Sequence, residues 1–405
     1  MEKLKFAHLA DLHLGSWREK TLRKLNLKTF QLAIEKIISL DVDFCVFCGD
    51  IFNNALPPID IVKDFVTQIK KLQENNIKIY VIGGSHDYSL IGKSFIELLD
   101  EIGILKDVCK LQILDNKNFK LLLTKNEKLK LNIGGIYGKK NSIDKKIYEN
   151  LTIEKLDKDY FNLLLFHNSL NDFKPKSLKN VEFTMNTSFL PKGFNYYAGG
   201  HIHENMTNQF KNNSIIAYPG ALFPNNFREL KEFNPTFNYC EFDFKTKQTN
   251  IEKINIIPYE KEYIFIEFNN QTPSQAHTII NNKLKDLDVK NKIVMLEFSG
   301  IIDGKISDIN INHIVNELYE REVLEVLKNT YKLKSKLLEN TQIDFSQSIE
   351  EIEENITNKF LKNSKNYKYE YNLAKNLLKL NLNKEEEEKN INYENRIINE
   401  IQKNI

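Results

Sequence analysis

Asp43-Phe44-Cys45-Val46-Phe47-Cys48-Gly49-Asp50 opens a stretch that closes on Ile79-Tyr80-Val81-Ile82-Gly83-Gly84-Ser85-His86-Asp87. Both passages are short apolar runs that end in glycine and then in side chains able to bind metal. Between them Ile59, Val62, Phe65, Val66, Ile69 and Leu72 recur at intervals of three and four, the spacing of an amphipathic helix. Strand, motif, helix, strand, motif is the alternation of a mainly parallel α/β sheet. Loops at the carboxyl ends of such strands are where open α/β sheets gather ligands.

The same device recurs on either side. Residues 4–10 read as a buried first strand running into Asp11-Leu12-His13, followed by Phe30, Leu32, Ala33, Ile37 and Ile38 at helical spacing. Past residue 110 strands dominate, the best candidates being Leu131 to Ile136, Leu163 to Phe166, Tyr196 to Ala198 and Ile215 to Tyr218. His167 and Gly200-His201-Ile202-His203 follow two of these, and Tyr239 to Phe244 closes the domain near Pro258. Five of the eight histidines thus fall in the motif set. Imidazole with carboxylate suits divalent first-row metals, and the donors suffice for two ions. Two neighbouring ions hold the attacking and leaving oxygens of a phosphoester, so the set points to phosphoester hydrolysis. Core histidines with local hydrogen bonds are the competing explanation, and they do not account for the whole ordered set.

At 405 residues two or three domains are expected. A composition 41% apolar and 28% charged is that of a globular protein, with no run of about 18 apolar residues to cross a membrane. The start lacks a signal-peptide core, so a cytoplasmic, nucleoid-associated location is expected. A net charge of +2 excludes a basic protein that coats nucleic acid, leaving such affinity to local patches and bound metals. Cys45, Cys48, Cys109 and Cys240 make no disulfide framework. Cys45 and Cys48 are three apart in a strand, on opposite faces, and read as buried structural residues.

Beyond Pro258, Tyr263 to Phe268 and Ile293 to Phe298 read as strands flanking a helix at 273–286, with further helix from about 312 to 330. This is expected to be a small second domain. From about 335 the chain turns polar and carries the acidic run Glu385-Glu386-Glu387-Glu388, which reads as a solvated face. Two apolar patches frame it, Leu373, Leu377, Leu378 and Leu380 before and Ile391, Ile397, Ile398 and Ile401 after. Short amphipathic helices without a core of their own dock onto partners.

In this order the motifs resemble the calcineurin-like metallophosphoesterases over residues 1 to about 245. Phe6 to Gly15, Gly49-Asp50-Ile51-Phe52 and Tyr218-Pro219-Gly220-Ala221 resemble, more narrowly, the SbcD-type nucleases of the meiotic-recombination-eleven family, of an archaeal kind. Ile51-Phe52-Asn53-Asn54 lacks the arginine that phosphoprotein phosphatases carry after Gly-Asp. The resemblance implies an α/β fold: a four-layer α/β sandwich nuclease domain at 1–258, a small α+β capping, DNA-binding domain at 259–335, and a helical, partly flexible partner-docking tail at 336–405. It implies a two-metal site, with Mn2+ as the expected ion. Asp11, His13 and His203 would hold one ion, His167 and His201 the other, and Asp50 would bridge both. His86 would face the scissile phosphate, stabilising charge or protonating the leaving oxygen. Asp87 would either orient that imidazole or cap the following turn.

Two positions depart from the family. Ser85 stands where an asparagine carbonyl ligates the second metal, a shorter and weaker neutral ligand. Asn53 stands where relatives often carry a histidine that shapes the handling of duplex ends. Around the site, Trp17, Arg18, Lys20 and Arg23 form either a grip on a sugar-phosphate backbone or an ordinary solvated loop, and Arg228 could assist. The expected activity is a manganese-dependent DNA phosphodiesterase, a duplex exonuclease and single-strand endonuclease. It would act as a homodimer with an SMC-like coiled-coil ATPase in double-strand-break repair. The alternatives are a phosphoesterase for small substrates and a non-catalytic DNA-end scaffold with a weakened second metal site.

Overall fold

The computed structural model of the protein describes residues 2–89, 94–115, 118–138, 145–175 and 185–336, and in the tail 353–354, 357–358, 361, 367–378, 380 and 390–404. Two six-stranded sheets dominate. One runs in the order β15 (Thr249–Asn255), β14 (Thr236–Asp243), β1 (Lys3–Leu9), β2 (Phe44–Cys48), β3 (Lys78–Ile82), β4 (Lys106–Asp107). The other runs β12 (Met206–Gln209), β13 (Ile215–Tyr218), β11 (Tyr196–Gly200), β10 (Phe161–His167), β8 (Leu131–Ile136), β7 (Thr124–Asn126). The centre of each sheet is parallel, with β1, β2, β3 and β4 in one and β8, β10, β11 and β13 in the other.

Alternation along each strand builds the layers. Phe6, Phe44, Val46 and Cys48 point between the sheets, where they meet Leu163, Leu165, Tyr196 and Ala198. Their neighbours Ala7, Leu9, Cys45 and Phe47 point the other way, onto a core shared with α1 (Lys20–Ser39) and α2 (Ile59–Glu74). A strand buried on both faces reads as a continuous apolar run, which is how β2 reads in sequence. On the far side of the second sheet Leu164, Phe166, Tyr197 and Tyr218 are covered by Ile147 and Tyr148 of α4 (Lys145–Glu149). Leu121 of a small sheet, β5 (Leu111–Ile113), β6 (Phe119–Leu121) and β9 (Leu151–Ile153), joins the same cluster. Helices, sheet, sheet and a mixed outer cover make the four-layer α/β sandwich. Cys45 and Cys48 are buried free thiols, one in each of the two cores beside β2.

Within α2 the buried stripe is Ile61, Phe65, Gln68, Ile69 and Leu72, and Ile59 is exposed. At about 100° per residue Ile59 lies roughly 120° from Phe65 while Ile61 lies within about 40°. Val62 and Val66 flank the stripe half-buried, so of the spaced set Ile59, the first residue of the helix, is the exposed one.

The chain divides into two compact units: Met1–Ile264 with Asp288–Glu297 and Val315–Asn329, and Phe265–Leu287 with Phe298–Ile314 and Thr330–Ile405. Strands β16 (Glu260–Gln271), β17 (Lys292–Ile302) and β18 (Glu325–Ser335) form a third sheet in that order. Their opening residues belong to the first unit and their later ones to the second. In the second unit α6 (Pro273–Leu284) starts at a full capping box, Thr272 with Gln275, and buries Ala276, Ile280 and Leu284. The helix expected over 312–330 is corrected. Helix α7 (Ile311–Glu320) stops at a turn in which Glu322 adopts φ 57°, and β18 begins at Glu325. The run Glu325 to Ser335 carries Val326, Thr330 and Tyr331, side chains that favour a strand. The tail contains helices Tyr367–Leu378 and Asn390–Asn404, and the acidic run at Glu385 to Glu388 lies outside the described residues. No described helix is long and apolar enough to cross a membrane.

Candidate metal centre

Every motif sits at the carboxyl end of a central strand. Asp11 and His13 follow β1, Asp50 follows β2, Ser85, His86 and Asp87 follow β3, His167 ends β10, and His201 and His203 follow β11. Backbone hydrogen bonds lay the first two loops together: Asp11 N donates to Gly49 O, His13 N to Asp50 O, and Leu14 N to Ile51 O, at 2.9–3.0 Å. The carboxylates tie in the others. Asp11 Oδ2 accepts from His201 N at 2.9 Å and Asp50 Oδ1 from His86 N at 2.8 Å. The buried Asp87 accepts from the backbone N–H groups of Gly84 (2.9 Å), Phe52 (3.1 Å) and Ile51 (3.2 Å).

This convergence demands unusual backbone. Asp11, His13, Asp50 and His201 all take positive φ, from 42° to 83°, a conformation that L residues rarely adopt and that gathers at functional sites. Glycine is required at the closest approaches. A Cβ on Gly84 would stand 2.2 Å from Asp50 Oδ1, and one on Gly200 would stand 1.9 Å from Cys48 O and 2.7 Å from His167 Nδ1.

Three overlapping donor groups result, each with its ligand atoms within 4.8 Å of one another: the two expected of the ions, Asp11 with His13 and His203 and Asp50 with His167 and His201, and a third of His13, Asp50 and His86. Asp50 Oδ2 lies 3.3 Å from His167 Nε2 and 3.8 Å from His13 Nε2, between the first two groups. Ser85 Oγ stands 3.4 Å from the same oxygen. The nitrogens His13 Nε2 and His203 Nε2 face each other at 3.3 Å, a contact that calls for a cation or proton between them. His167 Nε2 is buried and faces Asp50 Oδ2. Donors spaced this way match ligands sharing an ion at about 2.0–2.2 Å, so the residues fit divalent metal.

The ring tautomers agree. A carbonyl oxygen only accepts, so His167 carries its proton on Nδ1, which donates to Cys48 O at 2.7 Å, and turns Nε2 to the centre. His86 donates from Nδ1 to Asn53 O at 2.9 Å in the same manner, with its ring 4.9 Å from that of His13. His203 Nδ1 lies 2.9 Å from Glu229 Oε2. Burial would lower His167, yet the Asp50 and Asp11 carboxylates lift it to about 10. Burial likewise opposes His203, which its hydrogen bond to Glu229 and the charge of Asp11 raise to about 9. Burial would raise Asp50, but His167 and His13 hold it well below the usual carboxylate range. Burial pushes His13 down to about 3 and Asp87 up to about 7.

The donors open onto a cleft of about 350 Å³ lined also by Ser85, His86, Asn226, Arg228 and Phe233. Residues 4–205 match the family model of calcineurin-like phosphoesterases. The DNA double-strand break repair protein Mre11 of Methanococcus maripaludis is 30% identical over 388 residues, spanning 93% of this chain and 95% of its own. The Mre11 protein of Methanocaldococcus jannaschii is 30% identical over 310 residues, 74% of this chain and 76% of its own. The chain belongs to the Mre11 family of calcineurin-like phosphoesterases. It is a metal-dependent phosphoesterase of that family. The Mre11 protein of Archaeoglobus fulgidus matches at 27% identity over 56% of this chain and 52% of its own. A solved Vps29 single mutant from Entamoeba histolytica aligns at 9% identity and a TM-score of 0.27, covering 62% of this chain and 99% of that one.

Of the seven positions expected from the sequence to hold metal, six fall in the donor groups and Ser85 lies against Asp50. His86 joins them at the cleft, and its orienting partner is the Asn53 carbonyl. The three hydrogen bonds of Asp87 all go to loop backbone, as in a turn cap. Arg228 lines the cleft, whereas Trp17, Arg18, Lys20 and Arg23 are not among its described lining. Trp17 is half-buried against Leu22, Phe223 and Leu230, its indole N–H donates to Pro224 O, and Arg23 donates to Trp17 O. Arg18 and Lys20 are exposed. Glu229 escaped the sequence reading. It sits on α5 (Phe227–Glu232), and no local pattern announces that a carboxylate there meets a histidine after β11.

Proposed function

We propose that the chain is a manganese-dependent DNA nuclease, exonucleolytic on duplex ends and endonucleolytic on single strands, that serves double-strand-break repair. The observation that carries the proposal is the convergence of two imidazole–carboxylate groups on one open cleft, with Asp50 between them. The relatives named for double-strand break repair, one of them matched along 93% of this chain, supply the substrate class.

Asp11, His13 and His203 would hold one ion, and His167, His201 and Ser85 the other, with Asp50 shared. Such ions supply an activated water near neutral pH and neutralise charge on the phosphoryl oxygens. The protein supplies the remainder. His86, fixed through Nδ1 by Asn53, presents Nε2 to the cleft, where the ring, once protonated at both nitrogens, would stabilise phosphoryl charge or protonate the leaving oxygen. Arg228 at the rim balances phosphate charge. Exposed Leu377 and Ile398 in the tail helices suit docking to the SMC-like ATPase, and exposed Leu98 and Ile102 suit a homodimer.

The test incubates purified protein with Mn2+ and labelled duplex and single-stranded DNA, with aryl phosphodiester and phosphomonoester controls and Asp50→Ala as blank. DNA cleavage absent from the blank is expected. Ester turnover with intact DNA would favour a small-substrate phosphoesterase instead, and metal binding with silence on every substrate would favour a scaffold. His86→Ala is expected to retain Mn2+ while losing about 10²–10⁴ in turnover; full activity in that variant would remove the role given to His86.

A further inference from the structure

Three histidines of the centre have a partner at Nδ1, and the partners differ in kind. His167 and His86 meet backbone carbonyls, those of Cys48 and Asn53. His203 meets a carboxylate, Glu229, at 2.9 Å. Glu229 is itself firmly placed. Its Oε2 accepts from Asn225 N at 2.8 Å, and Asn226 caps α5 by accepting from Glu229 N at 3.0 Å. The next residue, Leu230, is fully buried in the cluster of Leu22, Phe223 and Met295. One step further, Lys231 Nζ bonds Tyr263 OH at 2.7 Å and Glu297 Oε2 at 2.9 Å.

We infer that Glu229 is a positioning residue for the metal centre: it holds His203 with its proton on Nδ1 and its Nε2 lone pair toward Asp11 and His13, and so makes that ion site the tighter of the two. The inference rests on the two-ion reading above. A carboxylate behind a ligating imidazole fixes the ring and raises its basicity, and removing such a partner commonly weakens metal affinity about 10- to 100-fold. The other site has no such charged support at His167 and is completed by the weak ligand Ser85, so the two ions load unequally.

Mn2+ titrations of metal-free wild type, Glu229→Gln and Glu229→Ala, read by calorimetry and by the paramagnetic resonance of free Mn2+, test this. Wild type should bind two ions in resolved steps. Glu229→Ala should weaken the tighter step about 10- to 100-fold and leave the other unchanged. Glu229→Gln, which keeps an acceptor but loses the charge, should fall between. Identical isotherms for all three proteins would overturn the positioning role and leave the metal centre standing. Loss of both steps together with a lower melting temperature of the metal-free variants would show a helix cap only, and also overturn it. Wild type that binds no Mn2+ would instead sink the metal reading itself.

Discussion

Asp87 is a carboxylate at the centre that spends all its recorded hydrogen bonds on backbone. Its three N–H donors belong to the loops that carry Asp50 and His86. Deleting the carboxylate strands those buried donors, and an unsatisfied buried group costs about 1–3 kcal/mol. Asp87→Ala is therefore expected to lower stability by a few kcal/mol, seen as a clear fall in melting temperature of the metal-free protein; an unchanged melting curve would refute the brace. A second expectation concerns protons. Without metal, His167 (about 10) and His203 (about 9) are raised above neutrality, so each holds an extra proton at pH 7.5 that metal must displace. Affinity for Mn2+ should weaken as pH falls and strengthen as pH rises toward 9, with about two protons released per chain at pH 7.5. Calorimetry in buffers of different ionisation enthalpy checks this, and a binding heat independent of buffer would contradict it. The ligand positions were legible because each follows an apolar run. The carbonyls of Cys48 and Asn53 were not, since any residue offers a carbonyl. Glu229 was hidden because its meeting with His203 depends on how α5 folds back.

Among the elements, β2 and β11 were readable because burial on two faces, or at a strand end, leaves a one-dimensional trace. What the trace omits is the space between elements. Gly200 ends β11 directly against Cys48 at the end of β2, with no room for a methyl group. Gly200→Ala is expected to force β2 and β11 apart at the centre, costing more than a tenfold loss of Mn2+ affinity together with turnover, while Gly103→Ala, whose added Cβ meets nothing within 4 Å, spares metal binding. Normal Mn2+ binding by Gly200→Ala would show that the strand ends can yield. The misjudged segment beyond α7 has a different cause. Residues 312–330 carry leucine and valine at intervals compatible with either period, and pairing in the third sheet decides for β18 where local pattern does not.

For the whole molecule, a net charge of +2 leaves no general field to draw DNA in, so affinity for DNA has to come from local patches and bound metals. Among the described apolar residues, Leu56 (77% exposed) and Ile59 (85%) stand at the entry to α2, and Leu98 (52%) and Ile102 (59%) lie four apart along and just beyond α3 (Phe95–Glu101). Four apart on a helix is one face, turned about 110° from that of the buried Ile96 and Leu99. Paired apolar side chains on one helix face can seed a contact with a second copy, and a stable homodimer needs about 800 Å² of surface per partner. The homodimer we propose is therefore expected to use this face. Light scattering at tens of micromolar should give twice the chain mass for wild type, and Leu98→Glu with Ile102→Glu should give the single chain mass. Because neither side chain reaches the cleft lining, the double variant should keep its Mn2+ stoichiometry. If it stays dimeric, the contact lies elsewhere; if wild type is monomeric throughout, the homodimer itself is wrong.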